Sequence, residues 1–308
     1  MKKFLLNVTL FLSVVLIVFI AGIVLPGNIP GQNMHYSIFD KEKLLENTDS
    51  PRLILVGGSN LSFGIDSKRL QDSLGRHVVN TAIHAGYGLQ YIIDCVAPHI
   101  KQGDIVLLAP EYNNFFGNSV WGGEVLIQAL EVNPTNLEKM TFKQFGAQLP
   151  YVPKHSIEKL LTYLPFKDPK ALQEKNAVYE RWSFNKLGDV EAHWNKPNEP
   201  YQSYDVQGKV FNQYTIQLIN HFKQLIEAKQ GRLLVTFPCL NHSGFQLTGQ
   251  KIREVAEQFA KNQYTVLGNP EKYSFPDSLY FNSMYHLNKK GVDLRTTLLL
   301  QDLKKQGL

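Results

Sequence analysis

Hydrophobic and polar positions divide the chain into three regimes. From Phe4 to Leu25, behind Lys2 and Lys3, the residues are uncharged and mostly apolar. Roughly 20 such residues span a bilayer as a helix, whereas the core of a cleaved signal peptide is about 7–15 long and ends in small residues. This run ends Ile23-Val24-Leu25-Pro26-Gly27, with neither an A-x-A pattern nor a lipobox-type cysteine. It predicts a retained transmembrane helix. The two lysines predict a cytoplasmic N-terminus, a single pass through the cell membrane and residues 30–308 outside the cytoplasm.

The second regime begins after residue 50. Short continuous apolar runs read as strands buried on both faces: Arg52 to Val56, ended by Gly57-Gly58; Val78-Val79-Asn80; Ile105 to Ala109, ended by Pro110; Arg232 to Phe237, ended by Pro238; and Tyr264 to Leu267. Helical patterns cover Ser67–Leu74, Leu89–Ile100, Gln213–Ala228, Ile252–Lys261 and Gly291–Leu303. This alternation predicts an α/β domain with a mostly parallel sheet and helices on both faces. The ligand site of such a sheet lies outside the carboxyl ends of its strands. The third regime, about 117–205, is irregular and rich in Trp, Tyr and Phe, and reads as an inserted cap. The predicted organisation is therefore a cytoplasmic stub and anchor over 1–29, a polar linker over 30–50 starting at Pro30-Gly31, and one domain over 51–308.

Composition narrows the function classes. The chain has 308 residues, 44% hydrophobic and 19% charged, enough for one large core or a core plus a small cap. The net charge of +5 comes from scattered residues, with no basic stripe to suggest nucleic acid. Cys95 and Cys239 each sit in an apolar stretch and read as core thiols rather than a disulfide. The nine histidines and the acids show no metal-ligand spacing, and no nucleotide signature is present, so neither metal nor cofactor is expected.

Two segments carry candidate chemistry. Gly57-Gly58-Ser59-Asn60 follows the first strand, where glycines allow a sharp turn and close backbone approach. It puts the Ser59 hydroxyl at the functional edge, near amides that favour negative charge; the bland alternative is a turn or N-cap serine. His286 precedes the last helix, two residues before Asn288, a plausible N-cap. It is either a base on the same edge or a packing residue.

Taken together, the order of these segments resembles that of the SGNH/GDSL hydrolases, over most of residues 50–115 and 230–308. Gly57-Gly58-Ser59 is similar to that family's first block, the stretch from Asn80 to Gly86 and Gly88 to its second, and His286-Leu287-Asn288 with Gly291 to its fifth. The resemblance is closest to membrane-tethered members that add or remove acyl groups on cell-surface polysaccharides, an impression to which Pro110-Glu111-Tyr112 adds a little. It implies a flavodoxin-like three-layer fold, Ser59 as nucleophile and His286 as general base. It also implies an oxyanion hole from Ser59, Gly86 and a side-chain amide, for which Asn113 and Asn114 are the nearest stand-ins. The implied activity is that of an extracytoplasmic serine esterase or O-acyltransferase acting on acyl, foremost acetyl, esters of an envelope or exported polysaccharide. The implied partners are the bilayer, a glycan and a multi-spanning membrane acyl donor.

The departures define the alternatives. The family's Gly-Asp-Ser is Gly-Gly-Ser here, and the stretch that normally holds the acid carries the neutral Asn282 and Ser283. The imidazole is oriented by a backbone carbonyl, by Asn282, by Glu111 or by Asp277, or else the site is weak or lost. In that last case the domain is a non-catalytic module that binds a glycan or a membrane partner. In the cap, Trp182, Asn185 and Trp194 offer aromatic faces and amides suited to sugar rings, against the alternative of plain cap packing.

Overall fold

The structure, a computed structural model, describes residues 1–25, 33–163, 178–204, 206 and 208–308. The Pro26-Gly27 and Pro30-Gly31 breaks and the far boundary of the insertion at residue 205 lie outside the described residues. In chain order the helices are α1 (Lys2–Val24), α2 (Ser37–Asn47), α3 (Ser59–Ser62), α4 (Ser67–Leu74), α5 (Leu89–Val96), α6 (Glu124–Val132), α7 (Phe142–Gln148), α8 (Val152–Leu161), α9 (Gln213–Ala228), α10 (His242–Lys261) and α11 (Lys289–Lys305). The strands are β1 (Leu53–Gly57), β2 (Val78–Asn80), β3 (Ile105–Ala109), β4 (Arg232–Thr236), β5 (Leu240–Asn241), β6 (Val266–Leu267), β7 (Ser274–Phe275), β8 (Tyr280–Ser283) and β9 (His286–Leu287).

Strand residues alternate between two cores, and this makes the layers. Ile54, Val56, Val106, Leu108 and Val235 face one core with residues of α5, α6, α9 and α10. Leu53, Leu55, Ile105, Leu107 and Leu234 face the other, with Leu70 of α4 and Leu299 and Leu303 of α11. A strand buried on both sides must be apolar at every position, as the sequence of β1 and β3 shows. The five central strands run in the order β2-β1-β3-β4-β6, all parallel, with Leu53 opposite Val78 on one side and Ile105 on the other. This is the flavodoxin-like order, and the chain switches direction between β1 and β3, where such sheets open a crevice.

Below the sheet, a buried ion pair ties the starts of these two strands together. Arg52 and Asp104 are both fully buried, 3.3 Å apart. The guanidinium also donates to the carbonyls of Leu45, Thr48 and His99, and the carboxylate accepts from Ser50 Oγ at 2.6 Å and Lys101 N at 2.9 Å. A buried pair of this kind is tolerated because its remaining polar atoms are satisfied.

Three stretches differ from the sequence expectation. Much of the linker region is helix α2, which buries Ile38, Lys41 and Leu45. Charges at Asp40, Lys41, Glu42, Lys43 and Glu46 hide this face, because Lys41 buries its stem while its amine donates to the carbonyls of Asn80 and Gly188. The insertion is not irregular between 124 and 161 but carries α6, α7 and α8, punctuated by Pro134, Pro150 and Pro153, which break the period. Helix α10 starts ten residues before Ile252, capped by Asn241, whose side chain accepts from Gly244 N at 3.0 Å. Cys95 and Cys239 are free thiols, Cys239 buried. Among the described residues, Lys2–Val24 is long and apolar enough to cross a membrane, with an 18-residue stretch of mean hydropathy 2.8.

Candidate functional site

Ser59 opens α3 immediately beyond β1, and Glu111 follows β3, so the two flank the switch point. The turn depends on its glycines. A Cβ at Gly58 would lie 2.5 Å from the Cβ of Ala85 and 2.9 Å from its nitrogen, and one at Gly57 would lie 2.6 Å from the carbonyl of Ala109. A Gly-Asp-Ser turn does not fit against this Ala85, which accounts for Gly58. The Ser59 hydroxyl, almost buried, donates to Glu111 Oε1 at 3.2 Å, and the amide of Asn60 donates to the same oxygen at 3.1 Å. Asn60 is itself fixed. Its Nδ2 donates to Ala109 O at 3.1 Å, and Arg295 of α11 donates to its Oδ1 at 3.1 Å and to its carbonyl. Burial holds the Glu111 carboxyl above its ordinary value, opposed by the donors of Asn60 and Ser59 and the charge of Arg295.

His286 reaches the same edge through a hairpin. Strands β8 and β9 pair antiparallel with Ser283 opposite His286, and Asn288 then caps α11 by accepting from Gly291 N at 3.1 Å. The hairpin sets Asn282 beside the ring, with Oδ1 2.9 Å from Nδ1. The other end of the amide fixes which atom this is: Asn282 Nδ2 lies 2.9 Å from Tyr179 OH and 3.3 Å from Glu199 Oε2. A carboxylate only accepts, so Nδ2 belongs there and Oδ1 faces the imidazole. Nδ1 therefore carries the proton, and Nε2 is left as the basic nitrogen. Phe63 stacks on the ring at 4.1 Å and 11°. Burial, with His84 and His193 nearby, pushes the His286 pKa down to about 3. Asn282 is thus hydrogen-bonded to the His286 ring, with Glu199 and Tyr179 behind it.

Ser59, Glu111, His84, Gly86, Asn113, Asn114 and His286 line one cleft of about 600 Å³, together with Gly146, Ala147, Pro150 and Tyr151. The serine and the histidine meet there without a hydrogen bond between them, because the hydroxyl is donated to Glu111. The expected oxyanion donors differ in state. The Gly86 amide donates to His84 Nδ1 at 2.9 Å, and Asn113 Nδ2 donates to Tyr204 OH at 3.0 Å. Asn114, nearly buried, has an Oδ1 without a partner among the described residues, and its Nδ2 makes only a 3.5 Å contact with Ser119 O.

Four sequence candidates stand away from this cleft. Asp277 does not face His286; its carboxylate accepts from the amide (3.1 Å) and hydroxyl of Ser243, at the start of α10. Trp182 is exposed, with its Nε1–H donated to Glu180. Asn185 shapes a turn, its Oδ1 accepting from the amides of Leu187, Gly188 and Asp189. Trp194 lies under Lys289, whose amine is 4.0 Å from the ring centroid. Conversely, Phe63, Tyr179, Glu199 and Arg295 surround the site without having been singled out in the sequence. Phe63 lies four residues after Ser59 and Arg295 nine after His286, whereas Tyr179 and Glu199 lie far from both motifs along the chain; no local pattern marks any of the four.

Two expectations follow. Asn282→Leu removes the acceptor that holds the Nδ1 proton. For the ester hydrolysis that the resemblance implies, and by analogy with the loss when an orienting group imposes the wrong tautomer, kcat is expected to fall by about 10²–10⁴ with KM little changed; steady-state kinetics on p-nitrophenyl acetate reads both. The pH profile is the second. Burial disfavours the protonated ring, so the basic form persists to lower pH than a solvent-exposed histidine of pKa 6.5 allows. The acid limb of kcat/KM should lie below about pH 5, not near 6.5.

No family model matches the chain, and no curated protein matches it. Among solved structures, the crystal structure of protein YxiM from Bacillus subtilis is similar at 14% identity and a TM-score of 0.37, over 84% of this chain. The match spans 58% of that structure's own length.

Proposed function

We propose that the chain is a membrane-anchored serine esterase or O-acyltransferase of the SGNH/GDSL kind. On this reading it acts outside the cytoplasm on acyl esters, foremost acetyl, of an envelope or exported polysaccharide. One observation carries the reading. A serine at the switch point of a flavodoxin-like sheet shares a cleft with a histidine whose Nε2 is left basic by the Glu199–Asn282–Nδ1 chain. The Lys2–Val24 helix supports the anchor, and the cleft's volume suits a sugar ester.

The steps use these residues only. A χ1 rotation takes the Ser59 hydroxyl from Glu111 toward His286. As Nε2 takes the proton, Oγ bonds to the ester carbonyl carbon, and the negative charge growing on the carbonyl oxygen favours protonation of the ring. Donors at the carboxyl edge of the sheet hold that oxygen: the Ser59 amide, and the Gly86 amide once released from His84, each worth about 3 kcal/mol in comparable sites. The ester C–O bond then breaks, and the leaving alcohol takes the proton from Nε2. Water or a sugar hydroxyl, deprotonated by the same nitrogen, attacks acyl-Ser59 and restores the serine.

A second reading keeps Ser59 and makes Glu111 the base; the 3.2 Å hydrogen bond between them favours it. The test is turnover of p-nitrophenyl acetate by the full chain in detergent, beside His286→Ala and Glu111→Gln. Collapse of the His286 variant alone supports the first reading, and collapse of the Glu111 variant alone supports the second. A wild-type chain with neither hydrolysis nor transfer to a sugar acceptor contradicts both, and the binding-module alternative then stands.

A further inference from the structure

Helix α7 is turned inside out. It buries Gln144 (0% exposed) and Gln148 (4%) and presents Phe142 (95%), Phe145 (43%) and Leu149 (68%) to the outside. The spacing of the exposed set, i, i+3 and i+7, makes it one continuous apolar face. The buried glutamines are held in place: Gln144 Oε1 accepts from Thr141 N at 2.9 Å in a capping box, and Gln148 Nε2 donates to Trp121 O at 3.3 Å. Each glutamine is anchored through one amide atom, while Gln144 Nε2 and Gln148 Oε1 have no partner among the described residues. On the adjacent α8, Ile157 and Leu161, one helical turn apart, are also exposed. Contiguous exposed apolar side chains of this size mark an interaction surface.

The neighbouring helix identifies the occupant. The last turns of α1 cross α8 at close range. Gly22 is buried, and a Cβ on it would fall 2.5 Å from the Cβ of Ser156; Lys159 Nζ donates to the carbonyl of Ile23 at 3.3 Å. Phe19 and Ile23 of α1 share an apolar cleft of about 520 Å³ with Phe145 and Leu149 of the α7 region. Whatever surrounds the outer end of α1 also meets this face.

We propose that α7 and α8 form a plate that seats the domain on the lipid bilayer surface, with Phe142, Phe145, Leu149, Ile157 and Leu161 inserted at the headgroup–acyl boundary. The proposal rests on the reading of Lys2–Val24 as a membrane span. The plate's residues Gly146, Ala147, Pro150 and Tyr151 are also a wall of the Ser59 cleft, so the cleft's rim lies at the membrane surface and a membrane-held acyl donor reaches it directly.

The test uses the full chain in phosphatidylcholine nanodiscs, one chain per disc, with an environment-sensitive fluorophore on Phe142→Cys, Leu12→Cys or Lys304→Cys. Phe142 is almost fully exposed, so its replacement leaves the fold intact. Burial pushes the native thiols up, Cys95 to about 11 and Cys239 to about 12, which directs labelling to the new site. The quenchers are lipids with a nitroxide near the top of the acyl chain, which reads position 142, or near its end, which reads position 12, about 15 Å inside the span. Insertion of 5–10 Å predicts that the probe at 142 loses about half of its emission or more, while the probe at 304 on α11 is unaffected. Quenching at 12 with none at 142, and access of aqueous iodide to 142, overturns the plate and leaves the span. Quenching at neither site overturns the span and the plate with it. Shielding of 142 only when two chains share a disc assigns the face to a second copy and overturns the lipid proposal.

Discussion

Ser59→Ala is expected to reduce kcat on p-nitrophenyl acetate by at least about 10³, to the level of buffer and non-specific binding. On the proposed mechanism the substitution removes the atom that forms the acyl bond. Glu111 is the nearest polar neighbour of the hydroxyl, and its carboxylate is engaged by Asn60 N at 3.1 Å. The fold should tolerate the change, since only one hydrogen bond to Glu111 is lost, worth about 1.5–3 kcal/mol for a charged acceptor that keeps another donor. Loss of activity with a fall in unfolding free energy no larger than that of this one hydrogen bond supports a nucleophile; a larger loss of stability together with activity points to a structural serine. Retained activity in a folded Ser59→Ala chain contradicts the proposed mechanism outright.

Arg295→Met is expected to cost about 2–5 kcal/mol of stability, read from urea unfolding of the full chain in detergent. Arg295 is almost fully buried in α11, and its guanidinium supplies both the carbonyl and the Oδ1 of Asn60. It also contributes the positive charge that offsets part of the burial of Glu111. Methionine fills similar space but leaves the Asn60 oxygens without these donors and the Glu111 carboxyl without its counter-charge. Activity should fall with stability, because Asn60 follows the serine directly. A variant as stable as wild type would mean that this network contributes nothing net to the fold.

The sheet was legible because strands buried on both faces leave an unbroken apolar run, and β1, β3 and β4 sit where those runs are. The positions of Ser59 and His286 were legible for a related reason: each follows a strand signal and precedes a helix signal, and parallel sheets collect such positions on one edge. What closes the site was not. Glu199 and Tyr179 lie 83 and 103 residues from Asn282 along the chain, and each meets it through a single side-chain hydrogen bond. Helix α2 escaped because its buried face includes Lys41, and α7 because its polar face points inward. A pattern that assumes apolar residues turn toward the core misreads both. Asp277 lies near His286 along the chain, but the β8–β9 hairpin sets the ring beside Asn282 while the Asp277 carboxylate accepts from Ser243.

The most direct test of the central claim is to treat the full chain with a fluorophosphonate, which phosphonylates activated serines, and locate the adduct by peptide mass spectrometry. The account predicts one adduct, on Ser59, formed much more slowly in the His286→Ala chain and nearly as fast in Glu111→Gln. A chain that hydrolyses p-nitrophenyl acetate yet carries no adduct, or carries it on another residue, contradicts the account.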